Sequence, residues 1–249
     1  MRAISTRGVL LLVVVLAVTA CGASGPPASV AASPSDTPAE VASVGASPSD
    51  ASSGESDAEA TVGEGPLDPG QYSSDTTGAE ITFSLSDETW EGAPDLPEVG
   101  FALVAEFGWP AITSLSVTAF HEEVFGDACD PSAPTEAVEE TPEAFMEWLG
   151  TVPGVEAAQP TEVTVGGRPG LVTDLTTALP AECTDPPWIF LWTLPEVGDF
   201  HFADDATVRL WAIQGAKEMV LLVAEAEAGA DVEAFQAAVD EILETMTID

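Results

Sequence analysis

Glu162-Val163-Thr164-Val165-Gly166-Gly167-Arg168-Pro169-Gly170-Leu171-Val172-Thr173-Asp174-Leu175-Thr176-Thr177 is the stretch that decides the fold class. Two runs rich in β-branched residues, 162–165 and 171–177, flank a Gly-Gly pair. A two-residue hairpin loop needs positive φ at both central positions, which glycine reaches without a Cβ clash. The stretch therefore predicts two antiparallel strands, and the glycines suit a hairpin better than a phosphate cradle. Gln214-Gly215-Ala216-Lys217 reads as a second, longer turn between strands at 207–213 and 218–226. Further strand-like runs lie at 80–85, 101–107, 112–120 and 188–194.

Two helices interrupt the strands. Thr141-Pro142-Glu143 supplies an N-cap, a proline at the first helical position and an acid in the first turn. Phe145, Trp148 and Leu149 follow on one face, and Val152-Pro153-Gly154 ends the helix. A second helix starts near Asp231 and spaces Phe235, Val239, Ile242, Leu243 and Met246 helically. The expected fold is α+β: a mainly antiparallel sheet with two helices, in a single domain over 67–249. This order of elements is similar to the Mog1/PsbP-like fold of some secreted bacterial lipoproteins.

Before that domain the composition is different in kind. From Gly22 to Pro66 there is no aromatic residue, no Leu, Ile or Met, and no base. Such a segment buries too little apolar surface to offset its ordering entropy. Ala-Ser-Pro-Ser-Asp occurs twice, at 32–36 and 46–50, as low-complexity sequence rather than a structural repeat. Residues 21–66 are read as a disordered acidic linker, a coil of roughly 35–40 Å r.m.s. span.

The first 20 residues read as an address. Arg2 and Arg7 precede an apolar run at 9–18, which is shorter than the roughly 20 residues a membrane helix takes. It leads into Val18-Thr19-Ala20-Cys21-Gly22, which resembles the bacterial lipoprotein signal. The resemblance implies cleavage after Ala20, a diacylglycerol on Cys21 and a further acyl group, such as palmitate, on the new amino terminus. Two or three chains anchor stably where one is marginal. The expected location is the extracytoplasmic face of the cell membrane, with the membrane itself as a partner through the lipid.

Charge removes other partners. The chain carries 43 Asp plus Glu against 5 Lys plus Arg, a formal charge of −38. Nucleic acid binding needs a basic surface, and so does electrostatic docking on anionic lipid. So few lysines among so many acids also resembles proteins of salt-adapted organisms, in which salt screens the self-repulsion.

Cys129 and Cys183 form an even pair in an exported chain and predict one disulfide between two Pro- and Asp-rich loops. The chain has no CxxC and no Cys/His cluster for zinc. Catalytic patterns are sparse. His121-Glu122-Glu123 is a zincin fragment without its second histidine, and no GxSxG elbow accompanies His201, which reads as part of a loop before Asp204 and Asp205. No enzyme and no cofactor are expected. Calcium is the better-motivated guest. Asp127, Asp130 and Asp185 converge if the disulfide draws their loops together, and Asp199, Asp204 and Asp205 form a second cluster.

Trp188, Phe190 and Trp192 share one strand face, with Ile189 and Leu191 on the other, which reads as core before it reads as a carbohydrate platform. Arg209 sits between Val208 and Leu210, either exposed on the sheet or paired with an acid. The leading expectation is a lipid-anchored, non-catalytic binding or sensory domain for a protein or small-molecule ligand. The alternatives are a hydrolase using His121 or His201 and a calcium-dependent adhesion module.

Overall fold

The computed structural model describes residues 60–75, 77–93, 100–108, 111–183, 187–194 and 198–249, all within the compact unit Gly54–Asp249. Cys21, its signal and residues 22–59 of the linker lie outside the described residues, as does Asp185.

In chain order the strands open with β1 (Ala60–Thr61), β2 (Gly65–Pro66), β3 (Gly70–Ser74), β4 (Ile81–Leu85) and β5 (Glu91–Ala93). There follow β6 (Gly100–Ala105), β7 (Thr113–Ala119), β8 (Glu123–Phe125), β9 (Thr135–Ala137) and helix α1 (Pro142–Leu149). Then come β10 (Val155–Ala157), β11 (Thr161–Val165), β12 (Arg168–Thr177), β13 (Ile189–Leu194) and β14 (Gly198–Phe202). The chain closes with β15 (Thr207–Gln214), β16 (Met219–Ala226), α2 (Val232–Thr245) and β17 (Thr247–Ile248). The α+β expectation holds: two helices and mostly antiparallel sheets. β1 and β2 fall inside the segment assigned to the linker, because their partners β3 and β5 supply backbone bonds that composition does not reveal.

The large sheet runs β10-β12-β15-β16-β7-β6-β5-β2, with β11 also paired to β12. Both quoted hairpins are present. Gly166 and Gly167 carry φ of 59° and 78°, the left-handed pair that a two-residue loop between β11 and β12 demands. β15 and β16 join in full register from Thr207↔Ala226 to Gln214↔Met219.

Alternation along the central strands divides the core into two layers. On one face of the sheet, Trp211, Ile213, Val220, Leu222 and Ala224 pack with Phe235, Val239 and Ile242 of α2 and with Ile81 and Phe83 of β4. On the other face, Leu210, Ala212, Leu221 and Val223 pack with Phe145 and Leu149 of α1 and with Ile189, Leu191 and Trp192 of β13. A sheet covered on both sides explains why 219–224 is continuously apolar despite being antiparallel. The first face is roofed by a small sheet, β1-β3-β4-β17, and the second by another, β14-β13-β8-β9.

The helix ends follow their sequence signals. Thr141 Oγ1 accepts from Ala144 N at 3.3 Å, and Asp231 Oδ1 accepts from Ala234 N at 3.2 Å.

One strand departs from expectation. The β13–β14 register shifts between Phe190 and Trp192, a bulge at Leu191. An extra residue reverses which side the next side chain faces. Trp192 therefore joins Ile189 and Leu191 in the core instead of sharing a face with Phe190, and it stacks on Phe200 at 4.1 Å.

Candidate functional site: a cleft between the central sheet and its roof

The bulge and the edge strand β14 shape one end of the second layer. Trp188 lies just before β13, and His201 lies within β14. His201 is therefore on a strand, not in the loop expected for it. Phe200 and Phe202, buried on either side of it, are the alternation that signals the strand. The indole of Trp188 packs on the imidazole of His201, with ring centroids 4.6 Å apart. His201 Nδ1 pairs with Asp199 O at 3.3 Å. Burial lowers the pKa of His201, opposed by that bond and by the Asp199 charge. The imidazole is therefore neutral at pH 7.

Opposite them stands the end of β16. Glu225 is directly paired with Ser114 of β7 on one side and Val208 of β15 on the other. Its Oε1 accepts from Ala203 N at 3.0 Å. Burial pushes the carboxyl up to about 7; the Ala203 bond opposes this and the charge of Glu227 adds to it. Glu227 Oε2 in turn accepts from Ile112 N at 3.1 Å. Together Ile112, Ser114, Trp188, His201, Ala203, Glu225 and Glu227 line an open cleft of about 120 Å³.

Exposure singles this cleft out. Among the described residues, the exposed large hydrophobics are Ile112, at 51%, and Trp188, at 37%, and both line it. A broader groove of about 620 Å³ runs from Glu143 of α1 along Glu162, Thr164 and Leu171 to Gln214, without an exposed large apolar side chain. Exposed apolar surface beside convergent polar groups is what marks a ligand site. Sequence reasoning named Trp188 and His201 but missed Ser114, Glu225 and Glu227. An acid at the end of an apolar strand was the available signal for Glu225.

The other expected residues lie elsewhere. Cys129 and Cys183 are joined in a disulfide with a Cα–Cα distance of 4.6 Å. It ties the β8–β9 loop to the segment after β12, and Phe190 N donates to Ala128 O beside it at 2.8 Å. Asp127 Oδ1 accepts from Cys129 N at 2.9 Å, and Asp130 Oδ1 accepts from Ser132 N and Oγ at 2.8 and 2.6 Å. The side-chain bond to Ser132, then the backbone one, hold the Asp130 carboxyl below its usual range. Asp204 Oδ1 likewise accepts from Leu179 N at 2.7 Å. Among the described residues, no three His, Cys, Asp or Glu side chains come together as a metal-holding group.

His121 is remote from the cleft. Its Nε2 is buried without a partner among the described residues. Nearby, Glu140 is raised by burial and then by repulsion from Glu122 and Glu218, with His121 acting the other way.

Among the described residues, no helix is long and apolar enough to cross a membrane. Neither a family model nor a curated protein sequence matches the chain. Among solved structures it is similar to LpqN of Mycobacterium tuberculosis, described as involved in cell envelope biogenesis. That likeness has 15% identity and a TM-score of 0.32 over 74% of this chain and 88% of the other.

Proposed function

We propose that this chain is a lipid-anchored, extracytoplasmic binding domain, held through acyl chains on Cys21, whose ligand enters the Trp188 cleft. The observation that carries the reading is the coincidence of the exposed indole of Trp188 and the exposed Ile112 in one cleft with Ser114 and two carboxylates. An aromatic plate beside fixed polar groups binds a small ligand by stacking and hydrogen bonding. The lipoprotein-like Val18-Thr19-Ala20-Cys21 supports the anchoring half of the reading.

Each half has its own experiment. Labelled palmitate should enter the chain in a bacterial host and be lost in Cys21→Ser. For the cleft, the Trp188 indole N–H resonance is followed while small amines, monosaccharides and carboxylic acids are added to the full-length protein. At least one class should move it, and Trp188→Ala, followed by calorimetry because the resonance goes with the indole, should abolish binding of that class. If no class moves it, the binding reading fails.

A second reading has one observation in its favour: Ser114 and His201, a nucleophile type and a base type, line the same cleft. Serine hydrolysis requires a hydrogen bond between them, and among the described residues none joins Ser114 to His201, whose Nδ1 pairs with Asp199 O. A fluorophosphonate probe separates the readings. The binding domain leaves Ser114 unlabelled, whereas stoichiometric labelling would make the chain a hydrolase.

A further inference from the structure

Resting on the binding reading, the chemistry of the cleft can be narrowed to one ligand class. We propose that the cleft takes a small organic ammonium ion, its charged head between Glu225 and Glu227 and its alkyl groups against the indole of Trp188.

Charge points there first. Glu225 and Glu227 each spend one oxygen on a backbone N–H, that of Ala203 and that of Ile112. Each keeps a second oxygen that takes no hydrogen bond among the described residues. None of the chain's mature bases, Arg168, Arg209 or Lys217, lines the cleft. Arg209 is occupied with Asp174 and Arg168 with Ile248 O. The two carboxylates therefore have no internal counter-charge.

The apolar half of the cleft selects among cations. A hydrated metal ion gains nothing from Trp188 or Ile112, whereas an alkylammonium places its methylene or methyl groups on them. The face of an aromatic ring attracts such a cation, most strongly when water is displaced. His201 adds a second ring without adding a positive charge, because burial keeps it neutral. At about 30 Å³ per water, a cleft of about 120 Å³ holds roughly four waters. That matches a trimethylammonium or short primary ammonium head.

Proton linkage gives a signature. The titratable groups facing the ligand are Glu225, Glu227 and His201. A cation favours ionised Glu225, so its binding displaces the proton that Glu225 holds near neutrality and tightens as pH rises. Between pH 6 and pH 8 the ionised fraction of a group titrating at about 7 rises about tenfold, and affinity rises with it. A carboxylic acid ligand would follow the opposite slope, and a neutral sugar would show almost none.

The test adds tetramethylammonium, n-butylammonium, glucose and acetate separately to the full-length protein, each against NaCl of equal ionic strength. The Trp188 indole resonance is the readout. The two ammonium ions should shift it saturably, about tenfold more tightly at pH 8 than at pH 6. Glu225→Gln should weaken them at least tenfold and flatten the pH dependence, while Trp188→Phe, which lacks that resonance and is followed by calorimetry, should keep partial binding. If glucose or acetate shifts the resonance and the ammonium ions do not, the ammonium assignment falls and the binding reading stands. If none shifts it, both fall. A trilysine peptide that binds far more tightly than n-butylammonium would overturn the small-molecule assignment in favour of a basic protein partner.

Discussion

Arg209 grips both carboxylate oxygens of Asp174, Nε to Oδ1 at 2.6 Å and Nη2 to Oδ2 at 3.2 Å, across directly opposed positions of β15 and β12. The Asp174 bond holds the guanidinium above its usual pKa, with burial opposing it. The strand pairing supplies the alignment, so little side-chain entropy is spent to form the fork. Both side chains are partly exposed, at 27% and 58%, which caps what the pair contributes.

A double-mutant cycle with Arg209→Met and Asp174→Asn should give a coupling of about 0.5–1 kcal/mol in low salt. It should shrink in 1 M NaCl, where the Debye length is about 3 Å. Chemical denaturation measures it, and a coupling that does not change with salt would contradict the electrostatic account.

The Cys129–Cys183 bridge closes a loop of 54 residues. In the chain-entropy treatment that removes about 4 kcal/mol of disorder from the unfolded chain. Cys129→Ala with Cys183→Ala should lower the unfolding free energy by about that amount. The α1 region, enclosed by the loop, should lose protection first in hydrogen exchange. An unchanged denaturation midpoint would count against this role.

Gly166 and Gly167 share positive φ but not surroundings. A Cβ on Gly166 would stand 2.7 Å from Ile248 Cγ1 and from Ile248 N, while one on Gly167 would meet nothing within 4 Å. Gly167→Asn, which tolerates the left-handed region, should cost less than about 1 kcal/mol. Gly166→Ala combines strain with a backbone clash and should cost about 2 kcal/mol or more. Thermal melting of the two variants side by side settles the ordering.

Glu225 titrates upward on folding, from 4.5 to about 7. The folded chain thus binds this proton more tightly than the unfolded chain does. Its contribution is fully present below about pH 4.5 and is lost as pH climbs through 7. Glu225→Gln keeps an acceptor for Ala203 N without the charge. It should match the parent near pH 4.5 and exceed it at pH 8 by at most about 3 kcal/mol. The pH dependence of the difference between the two proteins is the measurement, since the other acids cancel in it. Equal stability of the two at pH 8 would show that Glu225 is not desolvated.

The long central strands were legible because period-two patterns and paired glycines are local properties. Runs such as 171–177 and 207–213 carry their own assignment, and Thr141-Pro142 announces its helix. β8, β9 and β10 span three residues each, too few for any period to register. Thr135–Ala137 is exposed throughout, so it is a strand only because β8 lies beside it. The bulge at Leu191 was invisible for a related reason. It is defined by two partners, His201 and Phe200, that are adjacent in sequence while Phe190 and Trp192 are not. The cleft depended on the same missing information. Ser114 and Glu225 are 111 positions apart in the chain and become neighbours only through the register of β7 against β16.

β16 has a sheet neighbour on either side from Val220 to Ala226 and a packed layer on both faces. Amides of Leu221 and Leu222 at its centre therefore exchange with solvent only when the whole domain opens. Glu225 is mounted on this least mobile element, whereas His201 lies on β14, the edge strand of a smaller sheet, and Trp188 lies just before β13. One wall of the cleft keeps time with global unfolding and the other with local breathing. A ligand bridging the two walls would slow exchange along β14 and leave β16 unchanged.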